Sequence, residues 1–266
     1  MSLIKDTFLR LKVRGKTALI PYITAGDSNP KLTVPMMHAL VDSGADILEL
    51  GVPFSDPMAD GPAIQLACER ALQHKVGLSD VLKMVAEFRA TNTKTPVILM
   101  GYLNPIEVMG YESFAQRAHE AGVNGVLTVD MPPEEAERLV AQIKPLGMDP
   151  IFLLAPTSTE KRIQTISSMA SGFVYYVSLK GVTGSASLDV ASVESKLKVI
   201  RQYTPLPLGV GFGIRDAATA KAMAALGDAV IVGSAIVNII GDNADNPEKA
   251  IAEVSALVAE MRAAID

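Results

Sequence analysis

Short apolar runs alternate with longer amphipathic stretches along the whole chain. Eight runs read as strands: "TALIPYIT" (17–24), "DILELGV" (46–52), "PVILMGY" (96–102), "GVLTVD" (125–130), "PIFLLA" (150–155), "FVYYVS" (173–178), "PLGVGF" (207–212) and "AVIVGS" (229–234). Most are continuously apolar, the pattern of parallel strands covered on both faces. Between them lie helix-length segments such as "NPKLTVPMMHALVDSG", "PEEAERLVAQIKPLG" and "DAATAKAMAALG". Several open on Asn, Asp, Ser or Pro and stop at Gly, residues that cap helix ends. No linker or low-complexity tract interrupts the series. Eight βα repeats predict an α/β protein, a single (β/α)8 TIM-barrel domain over 1–266 with an extra N-terminal helix. An open doubly wound sheet is the alternative.

Composition narrows the function classes. With 49% apolar residues in 266, the chain can bury a large core. Its net charge is −5 and it has no basic stripe, which argues against nucleic acid and anionic membrane as partners. The one cysteine, Cys68, permits no intrachain disulfide and fits a reducing compartment. The first residues carry charges every few positions and lack an apolar signal core. The longest charge-free apolar stretch, 229–241, falls short of the ~20 residues a membrane-spanning helix needs. These features predict a soluble cytoplasmic protein.

The candidate chemistry begins with Glu49, which stands inside an apolar strand. A carboxyl removed from water is held protonated to higher pH unless a cation meets it, and such a group can give and take a proton near neutrality. A structural glutamate paired with Arg or Lys would read the same way from the strand alone. Asp60 closes the loop that this strand begins, between Pro57 and Pro62. It serves equally as an acid favoured by a helix dipole or as the second member of a two-carboxylate site. Asp56, at the loop tip, is read as facing solvent or a partner. The segment "VSLKGVTGSASLDV" (177–190) is long and rich in Gly, Ser and Thr, and is read as a lid over the C-terminal face of the barrel.

"GVGFGI" (209–214) and "VGSAIV" (232–237) place glycines at the ends of the last two strands, the second running straight into a helix. Barrels hold phosphate in this position on backbone N–H groups, so Gly213, Gly233 and Ser234 are candidate donors, with Gly184 of "GVTG" joining when the lid closes. Tyr22, Met100, Leu127, Val129, Tyr175 and Phe212 lie at or near strand ends and suit an apolar slot for a flat aromatic group with a phosphorylated tail. Ordinary core packing would account for any one of them. His38, His74 and His119 fall in helices, away from strand ends, and no metal-ligand cluster or dinucleotide motif is present in the sequence. Lys180 offers a Schiff-base alternative from the lid.

"PYITAGD", "LELGVPFSDPMADGPAIQ", "MGYLNP", "VDMPPEE", "FVYYVS", "KGVTG", "GVGFGI" and "VGSAIV" together resemble the tryptophan synthase alpha chain family, in order, over about residues 15–240. The segment 48–62 is the specific part; the glycine motifs alone are not. The resemblance implies a lyase of tryptophan biosynthesis that cleaves indole-3-glycerol phosphate to indole and glyceraldehyde 3-phosphate by a retro-aldol step, with no metal or organic cofactor in this chain. It implies that Glu49 is the catalytic acid/base and that Asp60 stabilises positive charge at the indole nitrogen. Thr183 would bond Asp60 on lid closure, and Gly184, Gly213 and Ser234 would hold phosphate. It further implies a pyridoxal-phosphate beta chain as partner in an alpha2beta2 heterotetramer. The contact would form through Pro53 and Asp56, the 102–105 turn and the Pro132–Pro133 region. Tyr22 stands where the family commonly has Phe, Met131 where it has Leu, and Leu179–Lys180 where it often has Arg–Ala. Two rival readings are another phosphosugar-type TIM-barrel aldolase using Lys180, and a non-catalytic barrel that activates a beta chain.

Overall fold

The computed structural model describes residues 2–177, 190–211 and 213–266. Helix α1 (Leu3–Val13) precedes a closed barrel of eight parallel strands in chain order: β1 (Ala18–Thr24), β2 (Leu48–Gly51), β3 (Val97–Gly101), β4 (Gly125–Thr128), β5 (Asp149–Leu154), β6 (Val174–Val177), β7 (Leu208–Gly211) and β8 (Ala229–Val232). β8 pairs back on β1, with Ala18 opposite Ala229 and Pro21 opposite Val232. Helix α2 (Thr33–Asp42) follows β1. Two helices follow each of the next two strands: α3 (Pro62–Gln73) and α4 (Leu78–Arg89), then α5 (Leu103–Met109) and α6 (Tyr111–Ala121). The single helices α7 (Glu137–Ile143), α8 (Glu160–Met169), α9 (Val190–Arg201) and α10 (Ala217–Ala224) follow β4 to β7, and α11 (Ser234–Asp242) and α12 (Pro247–Ile265) complete the chain. The (β/α)8 barrel and the leading helix are as the sequence predicts. The doubled helices after β2 and β3 are additions to the simple repeat. Gly110, at φ 84, separates α5 from α6 with a backbone that non-glycine residues rarely adopt.

The apolar side chains sort into two cores by strand alternation. The larger core lies between sheet and helices and takes Leu19, Leu48, Leu50, Val97, Leu99 and Val126. The smaller fills the barrel and takes Ala18, Ile20, Ile47, Ile98, Leu127, Ile151, Phe173 and Ile231. Glu49 and Gly51 share the inward parity of Ile47. Ile4, Phe8 and Leu11 of α1 join the inner cluster from one end, and the Phe8 and Phe173 rings lie 5.7 Å apart. Burying each such side chain is worth about 1.5–3 kcal/mol. Helix α1 thus plugs the end of the barrel where the strands begin. Ser2 fixes it there, accepting from the Lys5 N–H as its cap and donating to Asp149 at the start of β5. The other end, at the C-terminal ends of the strands, is where Glu49 and the tyrosines stand.

Candidate active site

Glu49 is the second residue of β2, opposite Tyr22 on β1 and Ile98 on β3. It is 2% exposed, and its Oε1 has no hydrogen-bond partner. No lysine or arginine among the described residues forms an ion pair with it. Burial pushes its carboxyl from an ordinary 4.5 up to about 8, and the negative charge of Asp60 adds to the effect. At pH 7 roughly nine in ten Glu49 side chains are therefore protonated. The structural alternative, a glutamate locked against a guanidinium, does not describe this residue.

Asp60 reaches the same rim from the loop between β2 and α3. A turn fixes it, with the Asp60 N–H donating to the Pro57 carbonyl at 3.0 Å. Gln65, one turn into α3, donates to the Asp60 carbonyl at 2.8 Å. Gly61 caps α3 without a side-chain bond and Pro62 opens the helix, so Asp60 stands just before the helix rather than in its first turn. Its carboxylate accepts from the Tyr102 hydroxyl at 2.9 Å. Burial raises the Asp60 pKa and the Tyr102 hydrogen bond opposes that rise.

Two tyrosines line the space beside these acids, and glycines on neighbouring strands make room for them. A Cβ on Gly51 would lie 2.1 Å from the Tyr22 hydroxyl, and one on Gly211 would lie 2.3 Å from that of Tyr175. The Tyr22 hydroxyl bonds Thr24 Oγ1 at 3.0 Å. Burial holds both phenols well above their ordinary pKa, and the charges of Glu49 and Asp60 push each further in the same direction. The two carboxyls and two phenols therefore share one mouth of the barrel. Met100 is half-buried and packs beside Tyr22, whereas Leu127 is completely buried in the inner core, beneath the rim.

Gly213 and Gly233 follow the neighbouring strands β7 and β8. Gly213 is exposed with φ 73, a left-handed backbone that suits glycine. Gly233 caps α11 without a side-chain bond, and Ser234 at the first helical position is exposed. The leading N–H groups of this helix lack intrahelical acceptors and can meet an anion. A Cβ on Gly233 would stand 3.8 Å from Tyr22, so this end adjoins the carboxyl end through one side chain. Thr183, Gly184, Phe212 and Lys180 lie outside the described residues, as does nearly all of the 177–190 segment.

Asp56 is exposed at the loop tip, whereas Pro53 and Pro133 are buried beneath that face. The His38 ring packs at a tilt against Phe88, His74 follows the last residue of α3 and meets the Ser28 carbonyl, and His119 is exposed on α6. Among the described residues no cluster of three His, Cys, Asp or Glu side chains could hold a metal.

Two features of the rim were not read from sequence. One is Tyr102, whose bond to Asp60 joins loops 42 residues apart. The signal available was an aromatic residue directly after the end of a barrel strand. The other is Asp27, buried in the loop after β1 and bound by both Nε and Nη2 of Arg70 on α3, at 2.6 and 2.9 Å. This bidentate pair ties the β1 loop to the helix that follows Asp60.

Comparison with known proteins shows the family. The family model described as "Tryptophan synthase alpha chain" matches residues 8–266. A tryptophan synthase alpha chain of Thioalkalivibrio sulfidiphilus is 62% identical over the full length of both chains. One of Nitrosococcus oceani is 62% identical over all of this chain and 98% of the other. Among solved structures, tryptophan synthase subunit alpha of Legionella pneumophila superposes with a TM-score of 0.94 at 47% identity, covering 100% of this chain and 99% of that one. A chain of Mycobacterium tuberculosis tryptophan synthase gives 0.89 at 32% identity, again covering 100% and 99%. With a matching family model across nearly all its length, and relatives this similar from end to end, the chain belongs to the tryptophan synthase alpha chain family.

Proposed function

We propose that Glu49 and Asp60 carry out the chemistry of this family in this chain. The chain is a carbon–carbon lyase that cleaves indole-3-glycerol phosphate to indole and glyceraldehyde 3-phosphate. The observation that carries the assignment of roles is the Glu49 carboxyl: buried, with no cation paired to it among the described residues, and pushed by that burial up to a pKa of about 8. Protonation of the indole carbon that bears the glycerol phosphate breaks the ring's aromaticity and leaves positive charge at the ring nitrogen. The neutral Glu49 carboxyl supplies that proton, and the Asp60 carboxylate stabilises the cation that results. The Glu49 carboxylate so formed then takes the proton of the adjacent side-chain hydroxyl. Its electrons form the aldehyde carbonyl as the carbon–carbon bond breaks, and those of the broken bond restore the aromatic ring. Glu49 ends protonated, ready for another turnover.

Tyr22, Met100, Tyr175 and Phe212 are proposed as the apolar slot for indole, with Leu127 packed beneath it as its floor. Gly184, Gly213, Gly233 and Ser234 are proposed for the phosphate, and Thr183 as a further partner of Asp60. As an alpha chain it has a beta chain as partner. An alpha2beta2 assembly, pyridoxal phosphate in that beta chain, and residence in the cytoplasm belong to the same proposal, as does a single domain spanning 1–266. Among the described residues no helix is long and apolar enough to cross a membrane. The exposed side chains of Asp56 and Met58 on the β2–α3 loop and of Asn104 and Val108 on α5 support docking on that face. The test is indole release from indole-3-glycerol phosphate by the purified chain, with and without a beta chain. Indole should appear in both cases. No indole in either would refute the assignment.

A further inference from the structure

Among the described residues, the Asp60 carboxylate has one neutral anchor. Its Oδ2 accepts from the Tyr102 hydroxyl at 2.9 Å, and that hydroxyl accepts in turn from the Ala59 N–H at 2.9 Å. The phenol thus holds the backbone before Asp60 as well as its carboxylate. Tyr102 is itself constrained. It is 4% exposed, caps the N-terminus of α5, and its ring stacks on Phe54 with centroids 4.9 Å apart. The next residue is also tied, with the Leu103 N–H donating to Asp130 at 2.8 Å. The hydroxyl therefore points at the β2–α3 loop from a rigid strand end on β3. We infer that Tyr102 is a positioning residue for the lyase reaction, holding the Asp60 carboxylate ionised and aimed at the barrel mouth through its hydroxyl. The inference rests on the role given to Asp60 above.

The electrostatics agree with the geometry. Burial and the charge of Asp60 both push the Tyr102 phenol above its ordinary pKa, so it stays a donor. The titratable groups sharing the field of Asp60 are Glu49 on β2, Tyr22 on β1, Tyr175 on β6, Cys68 on α3 and Tyr102 itself. Ionising any of these adds negative charge, so among the described residues the Tyr102 hydrogen bond is the interaction that favours the Asp60 carboxylate.

Tyr102→Phe keeps the ring stack and removes only the hydroxyl. With purified alpha chain saturated by its beta chain, kcat for indole release should fall about 10- to 100-fold with KM within about twofold, the loss expected for a hydrogen bond to a charged group. The acid limb of the kcat/KM profile should move to higher pH, because Asp60 loses the donor that stabilises its ionised form. Incorporating 3,5-difluorotyrosine at position 102 makes the phenol a stronger donor and should move that limb to lower pH. Opposite displacements from the two substitutions support the inference. Unchanged kcat and an unmoved limb in Tyr102→Phe would overturn it, and so would a fall in thermal stability alone. If Tyr102→Phe fails to fold, the difluorotyrosine protein decides the matter by its limb. Wild-type indole release, and its loss in Glu49→Gln, test the reading of the site separately.

Discussion

Replacing Glu49 by Gln separates the chemistry of the carboxyl from its burden on stability, and the two effects have opposite signs. Glu49 is raised from 4.5 to about 8 by a site that offers Oε1 no hydrogen bond. Below pH 4.5 the group is protonated in the folded and the unfolded chain, and folding is not penalised. As pH rises from 4.5 towards 8, the unfolded chain releases the proton and the folded chain keeps it, so stability is lost. The penalty reaches about 3 kcal/mol at pH 7 and about 5 kcal/mol above pH 8. Glutamine fills the same volume and cannot ionise. Glu49→Gln should therefore melt higher than wild type at pH 8, by up to about 8 °C for a chain of this length, and should show no such gain at pH 4. The same protein should release no measurable indole while still binding a phosphorylated indole analogue. Thermal melts at the two pH values, together with the indole assay, check both halves. Lower stability at pH 8 with wild-type turnover would show that Glu49 is an ionised structural residue and that the reasoning is wrong.

Activity of the wild type should fall above about pH 8 as Glu49 ionises, because the proton it must donate is then gone; a kcat/KM profile flat to pH 9 would contradict this. Asp27→Asn weakens a bidentate pair that is largely out of water and should lower stability by about 2–3 kcal/mol, read as a shift of the urea midpoint. Gly51→Ala puts a Cβ 2.1 Å from the Tyr22 hydroxyl. It should cost about 1–3 kcal/mol of stability, and Tyr22→Leu in the same chain should recover most of it. A double mutant no more stable than Gly51→Ala alone would mean that the tyrosine is not the obstacle.

The barrel was legible because its strands are nearly continuous apolar runs, and because β7 ends in Gly211 and Gly233 directly follows β8, where helix or turn must begin. Most strand limits were read a residue or two beyond the observed ones, although β5 begins at Asp149, one residue before its predicted run. Val52, for instance, continues the apolar run and still donates to Met100 after β2 has ended. Glu49 was legible for the opposite reason, as an acid flanked on both sides by apolar residues within a strand, and the inward parity of Ile47 and Gly51 now gives its direction. What sequence could not supply is contact between distant loops. Tyr102 and Asp60 meet because β2 and β3 are neighbours and their loops fold over one rim, a fact of register rather than of local pattern. Asp27 and Arg70, 43 residues apart, are hidden from local pattern in the same way. Leu127 shows the converse: a residue near a strand end whose side chain is fully packed into the inner core.

The protonation state of Glu49 decides more than any of these. Infrared difference spectra of the assembled enzyme across a pH titration, with 13C-labelled glutamate and Glu49→Gln as the blank, would read that carboxyl directly. A protonated carbonyl stretch at pH 7 that is lost with a midpoint near 8 is the result expected. A carboxylate band already complete at pH 7, with a midpoint near the ordinary 4.5, would contradict the account.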